Sequence, residues 1–147
     1  MLTLMFGWDL AILSASLALV GVTLVGQESW QGFAVNGLCT IVIPALVSYG
    51  ILRIVEAKLP KNFFVYLFLC AFLGAGVASV LGGLTMGFLL WASDVYSLAK
   101  IEYEYIQYLP LIMFPEGLLN GIIMTAMMVF YPDWIRTFDA RTYIDEQ

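Results

Sequence analysis

FFVYLFLCAFLGAGVASVLGGLTMGFLLW, residues Phe63–Trp91, contains no charged side chain. A helix crossing about 30 Å of hydrocarbon needs about 20 residues. Lipid offers an open backbone no hydrogen-bond partner other than its own helix, so a run of this kind is a membrane helix. It is also too long for a straight crossing. It must tilt, project from the membrane or break, and the weakest helix propensity lies at Gly82-Gly83, where a bend is expected.

Outward from this stretch, three more apolar runs qualify: Leu10–Val25, Phe33–Ile54 and Ile106–Tyr131. The fold class is therefore all-α, a polytopic transmembrane helical bundle of four spans. Met1–Phe6 is set apart by Gly7, Trp8 and Asp9; it reads as the truncated end of an earlier helix, with Asp9 as N-cap of the next. Trp8, Trp30, Trp91 and Trp134 bracket the runs, as amphipathic rings that favour the headgroup zone should. Composition agrees: 62% hydrophobic and 12% charged residues, with a mean hydropathy of +0.92, exceed what a soluble domain of this size can bury. Residues 1–131 form one membrane domain, and 132–147 a solvated tail.

Six basic residues against eleven acidic ones give a net charge of −5, which argues against nucleic acid or anionic headgroups as partners. The few cations are placed unevenly. Arg53, Lys58 and Lys61 crowd one short connection, whereas the loop from Asp94 to Tyr105 sets Asp94, Glu102 and Glu104 against Lys100. The positive-inside rule assigns the first connection to the cytoplasm. Four crossings then place both termini there, with Arg136 and Arg141, in an integral membrane protein of the bacterial inner membrane. No cleavable secretory signal is recognisable.

Glu116 is the costliest residue, a carboxylate near the middle of the last span, so it must face protein or water. In Phe-Pro115-Glu116-Gly117-Leu-Leu-Asn120-Gly121, Glu116 and Asn120 share a helical face at i, i+4, with Gly117 and Gly121 on the adjoining strip. Glu116 and Asn120 are the candidate substrate path; the structural alternative is that Glu116 fixes helix packing through hydrogen bonds. Gly74, Ala78 and Gly82 recur at i, i+4, as do Ala75, Ser79 and Gly83, followed by Gly87, a strip suited to close helix contact. Pro44 and Pro115 each remove a backbone donor, and kinks are expected there. Cys39 and Cys70 read as small buried hydrophobes, and the scattered methionines as packing. Without histidine, a Ser-His or Cys-His nucleophile and a histidine-ligated metal centre are excluded for this chain. No phosphate-binding loop is present. We therefore expect no enzyme, no catalytic residue, no resident metal and no cofactor bound by this chain.

Thr3-Leu-Met-Phe-Gly7-Trp-Asp-Leu-Ala11, Gly37-Leu-Cys-Thr-Ile-Val-Ile-Pro44 leading to Tyr49 and Arg53, Leu59-Pro-Lys-Asn-Phe-Phe-Val65 and Glu116-Gly-Leu-Leu-Asn-Gly121 together resemble the later part of CbiM-type integral membrane proteins. These are the substrate-binding permeases of energy-coupling factor transporters. The resemblance implies a membrane subunit of an ABC-type uptake system that transports cobalt or nickel ions. It also implies partners: a transmembrane coupling subunit and ATP-hydrolysing subunits that carry the ATP chemistry. In the family the metal ligands lie at the amino terminus and in a histidine-bearing stretch, ahead of the segment resembling Met1–Phe6. Those positions have no counterpart here, so the chain is expected to lack the first two helices of the family. The alternative reading is a non-catalytic structural subunit that packs against partner helices through the strip from Gly74 to Gly87.

Overall fold

The computed structural model describes residues 1–139 and residue 143; the sequence-based placement of Arg141 lies outside them. Among the described residues the regular structure is entirely helical. α1 is Leu2–Phe6 and α2 is Trp8–Leu24. α3 spans Phe33–Lys58 and α4 spans Phe63–Ala92. α5, Leu98–Glu104, leads through a 3-10 turn at Ile106–Tyr108 into α6, Leu109–Phe130. Three helical stretches are long and apolar enough to cross a membrane: Phe33–Lys58, Phe63–Ala92 and Leu98–Phe130, with 26, 30 and 33 residues. α2 is also apolar but has 17 residues, about 25 Å at 1.5 Å per residue.

α4 lies at the centre, packed against α3 on one side and α6 on the other, while α1 and α2 lean on α3. The outer faces stay apolar. Leu111 and Phe130 are 73% and 72% exposed, which water would not tolerate over so large an area and lipid would.

The two long inner helices depart from α geometry, but not at the expected place. α4 runs as a continuous α-helix through Gly82-Gly83, and its irregularity is instead a π-helical stretch, Tyr66–Leu73. The glycine pair does not interrupt the helix, and packing holds it on both sides, as described below. In α3 the turn before Pro44 is π-helical, Leu38–Val42. A proline ring collides with the carbonyl four residues back, here Thr40, and a wider turn relieves that collision. α6 continues through Pro115 without interruption.

The start of the chain also differs from expectation. α1 and α2 meet at Gly7, whose φ of 91° lies in the left-handed region, which a residue without Cβ enters freely. α2 begins at Trp8, so Asp9 stands in its first turn rather than at the N-cap. Asp9 is 3.8 Å from the Arg136 guanidinium.

That contact belongs to a part of the tail that is packed among the described residues, where a solvated tail is expected from the sequence. Ile135, Phe138 and Tyr143 are 2%, 6% and 6% exposed. The segment satisfies carbonyls that the short α1 leaves open at its C-terminus: Arg136 N donates to Met5 O at 2.8 Å, Thr137 Oγ1 to Leu4 O at 2.6 Å and Arg136 Nη1 to Phe6 O at 3.2 Å. Phe138 stacks on Tyr143 at 5.1 Å and tilts against Tyr66 at 5.2 Å, joining a core with Leu4, Leu52 and Met124. Burial pushes the Tyr143 phenol up to about 12, and the charge of Glu56 adds to it. The described residues of this segment gain more by docking than by hydration, which sequence polarity alone does not reveal.

Candidate functional site

α1, α2, α3, α4 and α6 line an open cavity of about 500 Å³. Its walls include Thr3 from α1, Ala11 and Ala15 from α2, Cys39, Thr40, Pro44 and Ser48 from α3, Ala75, Ala78, Ser79 and Met86 from α4, and Ile112, Glu116 and Asn120 from α6. Tyr105, in the link ahead of α6, also lines it. The wall is apolar with a scatter of hydroxyls and a single side-chain carboxylate, that of Glu116, and the buried Met1 ammonium lines the same cavity and interacts electrostatically with that carboxylate.

Glu116 and Asn120 therefore lie on one cavity wall, as their i, i+4 spacing requires, but they are engaged differently. Asn120 Nδ2 donates to the Ala71 carbonyl of α4 at 2.5 Å. Ala71 lies in the π-helical stretch, where the wider turn leaves carbonyls open to an outside donor. The side chain of Asn120 is thus committed to joining α6 to α4. Among the described residues, no side chain hydrogen-bonds to Glu116 and no Lys or Arg lies within ion-pair distance of it. It is the one charged side chain of α6, and it lines an open cavity.

Replacing Asn120 with Ala should cost about 1 kcal/mol, the usual worth of an interhelical hydrogen bond in a membrane protein. A lowered melting temperature in detergent, with Glu116 function retained, is the expected result.

The small residues form the seams that shape this cavity. A Cβ added at Gly82 would lie 2.4 Å from the Cys39 carbonyl oxygen and 3.1 Å from Pro44 Cγ. At Gly83 it would lie 2.6 Å from Leu109 Cδ2, and at Gly87 3.2 Å from Ile101 Cγ2. At Gly117 it would meet the Phe72 carbonyl oxygen at 2.8 Å, and Gly121 stands over the same residue. Gly74 approaches Ile51, and Ala78 is 2% exposed. Gly76, which falls between the two rows of small residues, is also tight, with Met113 Cγ at 2.8 Å from an added Cβ. Its place at i+2 from Gly74 takes it off the face that the periodicity picks out; contact with a third helix is the reason it is small.

Cys39 and Cys70 are free and buried. Asn36, at the start of α3, donates to Glu28 Oε2 at 2.8 Å and so ties the preceding loop to the helix end. Among the described residues, no three of His, Cys, Asp and Glu converge in a way that could hold a metal ion.

Three apolar helices long enough to cross a membrane, packed around a mostly apolar cavity that holds Glu116, make the architecture of an integral membrane protein. The family model for the cobalt uptake substrate-specific transmembrane region, CbiM, matches residues 1–134. The chain belongs to the CbiM family, and is a membrane protein of cobalt transport. No curated protein and no solved structure matches the chain.

Proposed function

We propose that this chain is the permease or substrate-binding subunit of an energy-coupling factor, ABC-type uptake system for cobalt or nickel ions, with Glu116 in the path of the cation. The observation that carries this reading is the open Glu116 carboxylate on the wall of the cavity, in a chain of the cobalt uptake family. A carboxylate at membrane depth is costly unless it meets a cation; no Lys or Arg lies within ion-pair distance of it among the described residues, and the Met1 ammonium acts on it from across the cavity without a close ion pair. Asn120 takes the supporting role of holding that wall against α4.

In this reading α2 is the fourth crossing, shorter than the other three. The end carrying Arg53, Lys58, Lys61 and the docked tail faces the cytoplasm, as the positive-inside rule requires. Both termini then lie inside, in a bacterial inner membrane. A transmembrane coupling subunit and ATP-hydrolysing subunits supply the energy, since this chain has no phosphate-binding loop. The rival reading, a purely structural subunit, draws its main support from the strip from Gly74 to Gly87. That strip is occupied within the chain, by Cys39, Pro44, Leu109 and Ile101, which leaves it little to offer a partner.

Accumulation of isotopic cobalt or nickel by cells carrying the complete operon tests the proposal. Deleting this chain, or the ATP-hydrolysing subunits, should each bring accumulation to background. Undiminished accumulation without this chain would refute it.

A further inference from the structure

We propose that the opening between the start of α2 and the end of α3 is a binding site for a phospholipid with an ethanolamine headgroup. It shares no residue with the central cavity. The opening has a volume of about 270 Å³, and its walls include Trp8 and Asp9 of α2, Tyr49, Arg53 and Glu56 of α3, and Arg136 of the docked tail. It therefore sits where the start of α2, the end of α3 and the segment after α6 come together. In a membrane protein such helix ends fall at headgroup level, the zone that Trp8 and Tyr49, with ring centroids 6.4 Å apart, also favour.

The charges of this opening are balanced but loosely joined. Arg136 Nη1 stands 3.8 Å from Asp9 and Arg53 Nη1 3.9 Å from Glu56, both beyond hydrogen-bond length. Among the described residues the Arg53 side chain donates no hydrogen bond, and that of Arg136 donates one, to Phe6 O. Each guanidinium is a planar fork of N–H donors, and a phosphodiester accepts such a fork through two parallel hydrogen bonds. Asp9 and Glu56 then suit a primary ammonium, which has three N–H groups to donate. Two cations and two anions match a headgroup of zero net charge. An anionic headgroup would gain the arginines but face both carboxylates, and a choline headgroup has no N–H to offer them. Space agrees: phosphoethanolamine takes about 240 Å³ at roughly 30 Å³ per non-hydrogen atom.

The acyl chains also have a path. Arg53, Tyr49 and Leu46 fall on one stripe of α3, as Asp9 and Leu13 do on α2. Leu46 is 47% and Leu13 57% exposed, so both walls continue toward the membrane centre as lipid-facing apolar surface. A free phosphate ester would use none of it.

Native mass spectrometry of the full chain, released from detergent containing one lipid at a time, tests the proposal. Dioleoyl phosphatidylethanolamine should bind at least about fivefold tighter than phosphatidylcholine or phosphatidylglycerol of the same chains. Arg53→Gln, at an exposed side chain, should weaken that binding about fivefold, and Lys58→Gln, outside the opening, should not. Asp9→Asn combined with Glu56→Gln leaves the arginines unopposed and should invert the preference toward phosphatidylglycerol, which a purely structural role for these residues would not do. Equal binding of the three lipids, a preference of the parent chain for phosphatidylglycerol, undiminished binding in Arg53→Gln, or displacement of the lipid by an equal concentration of soluble glycerophosphoethanolamine would overturn the proposal and leave the uptake reading standing.

Discussion

Gly82→Leu should yield no folded protein in membranes or detergent, and Gly82→Ala should destabilise the bundle by about 3 kcal/mol or more. The reason is a backbone-to-backbone approach. An added methyl at Gly82 falls 2.4 Å from the Cys39 carbonyl oxygen, and a carbonyl within a helix cannot rotate away as a side chain can. α3 and α4 would have to separate, opening the seam that also holds Pro44. Overpacking of this kind costs about 1–3 kcal/mol even where flexible side chains can adjust, against a total stability of about 5–15 kcal/mol. Gly50 serves as the control. It lies in the same helix as Cys39, and an added Cβ there meets nothing within 4 Å. Gly50→Ala should be neutral or stabilise by up to about 1 kcal/mol through helix propensity. Thermal melting in detergent separates the two cases, and equal melting temperatures for Gly82→Ala and the parent would show that this contact does not hold the helices.

Glu116→Gln should lower cobalt or nickel accumulation in cells at least about tenfold without changing expression or melting temperature. A dication about 5 Å from a carboxylate gains about 3–7 kcal/mol at an effective dielectric of about 20–40, and water in an open cavity screens away a large part of that. A remainder of about 1.4 kcal/mol already gives a factor of ten. Glutamine keeps the size and much of the hydrogen bonding, so the loss reports the charge. Stability should change little, because among the described residues Glu116 has no hydrogen bond or close ion pair to give up, only a longer-range attraction to the Met1 ammonium. If Glu116 served packing instead, the substitution would lower the melting temperature and spare transport.

How far the sequence discloses this arrangement depends on whether a feature is governed by hydropathy or by contact. The long helices are plain from apolar runs, since lipid leaves the backbone a single solution. Their ends move by a few residues where caps rather than hydropathy decide, as at Trp8 and Lys58. The shared face of Glu116 and Asn120 follows from spacing, and both line the cavity. Which of the two is already engaged depends on the π-helical turn at Ala71, and no periodicity marks that turn. Low propensity at Gly82-Gly83 does not break the helix for a related reason: propensity measures the freedom of an isolated helix, whereas Cys39, Pro44 and Leu109 hold this pair in place. In the tail, Ile135, Phe138 and Tyr143 are spaced among polar residues. Their burial requires the open carbonyls of α1, more than a hundred residues earlier in the chain.

Equilibrium binding of isotopic cobalt to the purified chain in lipid nanodiscs tests most directly whether this polypeptide itself takes the cation into the cavity. The account predicts saturable binding that is lost or weakened at least about tenfold in Glu116→Gln and retained in Asn120→Ala. Binding that is absent from the parent chain, or undiminished in Glu116→Gln, would contradict it.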